Sequence, residues 1–487
     1  MGEITDWIIN NLADSTPRVF WLHGQAGKGK SSIAHTIANH LQKADILGSC
    51  FCFSRDSQVE RRHEKIFATI ARDLANRNPA LKNIIARVVS YDNALATTAD
   101  VKQQWEKLIL KPLSELSDSM IKPVVIVIDA LDESGDQASR KHILDILSSQ
   151  AMGLPFGFRI FITSRPLPDI VTALQGLSHV ISKSMDDISV TSVEQDIRLY
   201  FSDKLGGSMD HFSTEEISCL VRSADGLFEW ARLACEYMNS HKGGLTHMER
   251  YQTLISVESG EGEGPLDKMY LAVLRDVIED DPRALARFCS VMQQILWSQV
   301  PLSVESLEIM RCEFNKDSDD VKIIVGSMGA LLSGITDMST PVRALHASFY
   351  EFLADSTRSK EFAVTKGDVH SQLARACVYI MQAKLCFNIC QLETSYLPNS
   401  EVADLDWRVK NYIPECLSYA CQFWVVHLQE ISVERDLGQE VELLLKDKLL
   451  FWIETLSLLK VLNVAPSYLE AIASWLDLEV CKLTQVD

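Results

Sequence analysis

Apolar and polar positions fall into two textures along the chain. Through residues 1–185, short apolar runs alternate with stretches of helical spacing. VFWLHG (19–24) is a compact apolar run ending in glycine, and the positions from Lys30 to Leu41 then recur at helical intervals. ILGSCFCFS (46–54), VVIVID (124–129), FRIFITS (158–164) and HVISKSM (179–185) predict four further strands, with helical patterns over 61–77 and 101–111 between them. The uninterrupted β-branched run that opens VVIVID is what a strand covered on both faces requires, so these strands are expected to form a parallel sheet. Strands separated by helices imply a three-layer α/β domain over residues 1–190.

From Ser192 onward helical spacing dominates. VEQDIRLYFSDKL and STEEISCLVRSADGLFEWARLACEYM both carry it, and Ser213 followed by Glu216 is a capping-box signal. These segments predict a helical domain over 191–264, closed by the polar, glycine-rich stretch 256–264 that reads as a hinge. Residues 265–310 are again helical, with Pro301 and Ser303 opening one helix. ALLSGI, a turn, VRALH and the helix SFYEFLAD then suggest a winged-helix unit over 265–357. Residues 358–487 read as helical throughout, with no internal period.

The bulk numbers narrow the functional classes. A chain of 487 residues exceeds one ordinary core, and its 47% hydrophobic content is that of a folded globular protein. A net charge of −19 makes nucleic acid an unlikely general partner, so any phosphate ligand must be held by a local device. The apolar segment Leu443–Ala465 is broken by Lys446, Asp447, Lys448, Glu454 and Lys460, which reads as a packed helix pair rather than a membrane span. MGEITDWIINNL lacks the basic start of a signal peptide. The 12 cysteines show neither CxxC pairs nor zinc-site spacing, although Cys50 and Cys52 alternate along one strand and Cys386 and Cys390 lie four positions apart. Buried thiols in a reducing cytosol are the expectation, and the chain is expected to be cytoplasmic with no membrane contact.

One local device for phosphate stands out. Gly24-Gln25-Ala26-Gly27-Lys28-Gly29-Lys30-Ser31 fits G-x-x-x-x-G-K-[ST], between a strand and a helix that continues through Ser32. Glycines let backbone N–H groups curl around phosphates, and the helix N-terminus adds partial positive charge. Lys30 is expected to bridge β- and γ-phosphate oxygens and Ser31 to ligate Mg²⁺. A second element is needed for metal and water, and the run into Asp129, Ala130, Leu131, Asp132 and Glu133 supplies it. Asp129 is the candidate Mg²⁺-side acid, while Asp132 or Glu133 would orient or activate the attacking water. Arg165, in Thr163-Ser164-Arg165-Pro166, could reach a γ-phosphate oxygen at the next strand's end.

These three motifs together resemble the NACHT group of STAND ATPases. The resemblance continues through DIRLYF (196–201), GLFEWARLA (226–234) and ALHASFYEFLAD (344–355). CFNICQLETSYLPN (386–399) and LSYACQFWVVHL (417–428) are similar to fungal NACHT proteins. It implies a P-loop NTPase domain followed by a helical lid, a winged helix and an all-helical domain, with ATP or ADP and Mg²⁺ as ligands. It also implies that His346 contacts the β-phosphate of ADP as a resting-state latch. Related switches touch adenine with a glycine-x-proline element, where this chain reads Gly226-Leu227-Phe228. The implied function is a slow, regulatory ATPase: an ADP-bound closed state opens on exchange for ATP and self-associates, in a signalling role extended by analogy to non-self recognition and regulated cell death. The competing readings are a turning-over AAA+-like ATPase, a P-loop kinase, and a nucleotide-binding scaffold. Input and output are expected to lie in a longer receptor or in unknown protein partners.

Overall fold

The computed structural model describes residues 2–9, 17–54, 63–96, 98–116, 123–155, 157–206, 212–240, 245–256, 264–278, 281–311, 320–394, 396–432 and 434–483. The chain divides into two compact units, Met1–Met269 and Tyr270–Asp487. The glycine-rich hinge expected over 256–264 falls almost wholly outside the described residues.

In the first unit all five expected strands form. They are β1 (Val19–His23), β2 (Leu47–Cys52), β3 (Val124–Asp129), β4 (Phe158–Ser164) and β5 (Val180–Ser184). They make one parallel sheet in the order β2-β3-β4-β1-β5. Alternation along each strand divides the core into two layers. Val19, Trp21, Ile126, Ile128, Ile160 and Ile162 point to one face, under helix Ile66–Arg77 and its neighbours. Phe20, Leu22, Val125, Val127 and Phe161 point to the other. That second face is covered by α1 (Gly2–Ile9), through Ile4, Trp7 and Ile8, and by α2 (Lys30–Lys43), through Ala34, Ile37 and Leu41. A one-residue slip in any strand would exchange the two layers, which is how the sequence pattern fixes register. The expected helix over 101–111 is present but contains a π-helical stretch, Trp105–Leu110.

After β5 come helices Val190–Leu205, Thr214–Ser223 and Phe228–Asn239. The expected capping box is made, with Ser213 Oγ accepting from the Glu216 N–H and the Glu216 carboxylate accepting from the Ser213 N–H.

In the second unit helix Pro282–Trp297, helix Val304–Arg311 and helix Asp320–Gly326 precede a short antiparallel hairpin, β6 (Leu332–Ser333) and β7 (Arg343–Ala344), and then helix Ala347–Ala354. Ser303 caps Val304–Arg311 by accepting from the Ser306 N–H. Helical content is less continuous beyond this point than the spacing implied. Helix Val369–Lys384 ends before Cys386, and Asn388 and Gln391 adopt positive φ. The Asn388 side chain both donates to the Leu392 carbonyl and accepts from the Leu392 N–H, fixing a loop where Cys386 and Cys390 were expected on one helix. Cys386 is exposed, contrary to the expectation of buried thiols, because it lies in this loop. The segment around 443–465 is indeed a helix pair, Arg435–Leu458 and Ala465–Leu483. Among the described residues no helix is long and apolar enough to cross a membrane.

A buried histidine pair gives this unit a pH signature. His427 Nδ1 lies 2.9 Å from His370 Nδ1, and its Nε2 lies 2.8 Å from the Tyr419 hydroxyl. That hydroxyl accepts from the Gln299 N–H, and neutral His427, with one ring nitrogen to donate and one to accept, bridges Tyr419 and His370. Burial, reinforced by His370, holds the His427 pKa down to about 3. A folded-state value below the unfolded one means that stability is complete above about 6.5 and is lost as pH falls toward about 3. We expect unfolding of helix Glu415–Gln429, followed by amide exchange, to become easier by about 2 kcal/mol between pH 7 and pH 5. His427→Gln, which keeps an acceptor for Tyr419, should flatten that dependence.

Candidate functional site

Strands β3, β4 and β1 are neighbours, and the loops leaving their C-terminal ends converge, the position at which open parallel sheets bind ligands. The loop after β1 begins with the Gly24 N–H donating to the Ser164 carbonyl at 3.3 Å. Its glycines are demanded by two constraints. A Cβ on Gly24 would lie 2.7 Å from the Met185 side chain, inside any permissible contact. Gly27 and Gly29 hold φ of 81° and 86°, in the left-handed region that side chains disfavour. Gly29 is also the residue before α2 and makes no side-chain cap, so the first N–H groups of α2 are left for a ligand.

Lys30 Nζ reaches back across this loop and donates to the Gln25 carbonyl at 2.7 Å. Burial lowers its pKa, opposed by Asp132, reinforced by Arg165 and opposed again by Asp129 and Glu133. The lysine is thus within electrostatic reach of all four residues that the sequence nominated from the β3 and β4 ends. Ser31 and Ser32 are exposed on the first turn of α2.

Asp129 ends β3 and is buried. The Thr163 hydroxyl donates to its Oδ1 and accepts from the Ala130 N–H at 3.1 Å. Ala130 adopts φ 55°, a strained value for a residue with a side chain, and this turns the chain into the Leu131–Glu133 turn. Asp132 is held on both oxygens: Oδ1 accepts from the Arg165 N–H at 2.9 Å and Oδ2 from Arg165 Nε at 2.6 Å. The Asp132 carbonyl accepts from Arg140, which also pairs with Asp169. The structure therefore engages Asp132 and Arg165 with each other, and Glu133 is the half-buried carboxylate of the pair that the sequence offered for water.

Helix Phe228–Asn239 packs against the loop. The Glu229 N–H donates to the Gly27 carbonyl at 3.2 Å, and a Cβ on Gly29 would touch the Phe228 ring. Beside the loop lies a cavity of about 430 Å³ whose apolar wall includes Ile33, Ile188, Val193 and Phe228. Asp186 and Arg222 stand on its polar side, and Lys28 pairs with Asp186, whose carboxyl is held below its usual range by that hydrogen bond. An apolar slot with a few polar groups, continuous with a glycine loop, fits a nucleoside attached to phosphates. Sequence reasoning missed this slot. The signal was present in Gly226-Leu227-Phe228, whose first and last residues line it even without the glycine-x-proline pattern.

His346, assigned by resemblance alone, lies in the second unit at the start of helix Ala347–Ala354. Its Nδ1 caps that helix, lying 2.6 Å from the Ser348 hydroxyl and accepting from the Ser348 N–H at 3.3 Å.

The parallel sheet, glycine loop and acidic strand end define a nucleotide-binding P-loop NTPase. The family model for the nephrocystin 3 N-terminal region matches residues 2–165. The vegetative incompatibility protein HET-E-1 of Podospora anserina is 23% identical over 499 residues, an alignment covering 94% of this chain and 35% of that protein. The chain thus spans about a third of that relative's length. Both matches agree with the resemblance to NACHT-type, fungal NLR-like proteins that the motifs suggested. Among solved structures, a chain of Drosophila ORC bound to GC-rich DNA and Cdc6 aligns at 11% identity and a TM-score of 0.24, covering 98% of this chain and 69% of that one. Drosophila ORC bound to poly(dA/dT) DNA and Cdc6 aligns at 13% identity and the same TM-score of 0.24, covering 91% and 68%.

Proposed function

We propose that this protein is a nucleotide-dependent signalling switch, closed with ADP and opened by exchange for ATP. One observation carries the reading: the lid helix Phe228–Asn239 hydrogen-bonds the phosphate loop through Glu229 and lines the nucleoside slot through Phe228. Changes at the phosphates therefore have a direct mechanical route into the lid, which a plain hydrolase would not need.

In this reading the backbone of Gly24–Gly29 and the α2 N-terminus wrap the phosphates, and Lys30 leaves the Gln25 carbonyl to bridge β- and γ-oxygens. Ser31 and Asp129 would hold Mg²⁺, which when bound neutralises charge developing on the phosphates. Glu133 orients the attacking water, because Asp132 is occupied by Arg165. Arg165 senses the γ-phosphate by exchanging its pairing with Asp132 for one with phosphate oxygen. His346 supplies the ADP-state contact that the resemblance implies. ATP in the site would favour self-association, and slow hydrolysis would reset the switch. The four-part division into P-loop domain (1–190), lid (191–264), winged helix (265–357) and helical domain (358–487) belongs to this proposal, as do a cytoplasmic setting and a role in non-self recognition or regulated cell death.

Identifying the nucleotide released on denaturing the purified protein tests this reading. Wild type should carry ADP and turn over less than about one ATP per second. His346→Ala should retain ADP less firmly and self-associate more readily, and equal retention would remove His346 from the mechanism. Sustained fast hydrolysis would instead favour an AAA+-like engine, and a phosphorylated small molecule a kinase. The complete set of Lys30, Ser31, Asp129 and Glu133 speaks against an inert scaffold.

A further inference from the structure

The register of β2 against β3 sets Cys52 beside Asp129, on the face covered by α2. From α2, His35 extends over the same spot. Its Nε2 is 3.9 Å from Cys52 Sγ and 4.0 Å from Asp129 Oδ2. Each of the three side chains offers one ligand atom, and these atoms all lie within 4.8 Å of one another. Asp129 turns its other oxygen, Oδ1, to the Thr163 hydroxyl, which orients Oδ2 toward His35. His35 is largely exposed, with 60% of its side-chain surface accessible, so the group is open to an ion from solvent.

These donors suit a particular kind of cation. Ligands about 2.0–2.3 Å from a tetrahedral Zn²⁺ stand roughly 3.5 Å from each other, so side-chain shifts of up to about an ångström would close the triad on one ion. Thiolate and imidazole select Zn²⁺ over Mg²⁺, which prefers oxygen alone. Three protein ligands with a fourth position open is the pattern of an accessible zinc site.

We propose that His35, Cys52 and Asp129 form a Zn²⁺ site, and that Zn²⁺ bound there withdraws Asp129 from Mg²⁺ and so weakens Mg²⁺-dependent nucleotide binding. Cys52 binds as the thiolate, its proton passing to solvent. The competition rests on the Mg²⁺ role proposed above for Asp129, whereas the zinc site does not.

The test uses the full chain, stripped of metal, with Zn²⁺ titrated against a chromophoric chelator and X-ray absorption at the zinc edge. One sulfur ligand at about 2.3 Å together with nitrogen and oxygen ligands at about 2.0–2.2 Å is expected. His35→Ala and Cys52→Ser should each weaken Zn²⁺ binding by about tenfold or more. Cys386→Ser, which alters an exposed thiol of the second unit, should leave it unchanged. Absence of a sulfur ligand, or wild-type affinity in both triad variants, would overturn the site. In a second arm Zn²⁺ should raise the Mg²⁺ concentration needed to retain fluorescent ADP in wild type but not in Cys52→Ser. Zinc bound at the triad with an unmoved Mg²⁺ requirement would overturn the competition. If no nucleotide binds under any metal condition, the switch reading and the competition fall together, while the zinc titration still decides the site.

Discussion

Replacing Lys30 with alanine is expected to weaken ADP and ATP binding about 10- to 100-fold while leaving the fold intact. The magnitude follows from losing a charge-assisted hydrogen bond to phosphate, worth about 1.5–3 kcal/mol, with each 1.4 kcal/mol equal to a factor of ten. The fold survives because the one hydrogen bond described for Lys30 Nζ runs to the Gln25 carbonyl within its own loop. The helix that follows is anchored instead by Ala34, Ile37, Ala38 and Leu41, all buried on α2. Fluorescent-nucleotide titration measures the affinity, and an unchanged thermal midpoint separates lost binding from lost structure. Affinity within twofold of wild type would mean that the loop does not hold phosphate as its geometry implies.

Glu133→Gln is expected to slow hydrolysis by about 100-fold, within the range for loss of a general base, while nucleotide affinity changes little. Asp132 is the wrong target for that result. Both of its oxygens are engaged by Arg165, so Asp132→Asn should disturb the β4 end and Arg165 together. Single-turnover hydrolysis of bound ATP distinguishes the two variants. If Asp132→Asn abolishes hydrolysis with Arg165 still in place and Glu133→Gln does not, the assignment of the water-orienting group is reversed.

Much of this site was legible in the sequence because its geometry is local. Each strand announced itself as a short apolar run, and the glycine loop carries its phosphate chemistry in consecutive residues. Parallel order placed the ends of β3 and β4 beside that loop. What escaped depends on contacts between distant segments. Nothing in the spacing of Asp132 and Arg165 shows that the arginine takes both carboxylate oxygens, because that pairing is set by the turn that the strained Ala130 begins. The cavity beside the loop is assembled from the loop, the segment after β5 and the helices up to Phe228, so Ile188, Val193 and Phe228 carry no common motif. Cys50 and Cys52 were visible as an alternating pair, yet the partners of Cys52 come from strand register and from α2. His346 shows the converse. Its family role came from resemblance, while the structure gives its Nδ1 the ordinary task of capping a helix.

The central claim is that nucleotide state controls assembly. The most direct measurement is the solution mass of Glu133→Gln, whose slowed hydrolysis keeps ATP in place, by light scattering with saturating Mg²⁺–ATP and with Mg²⁺–ADP. The account expects a single-chain mass with ADP and a larger assembly with ATP, the latter lost when Lys30→Ala is added. The same mass with both nucleotides, under conditions where binding of each is confirmed, would contradict it.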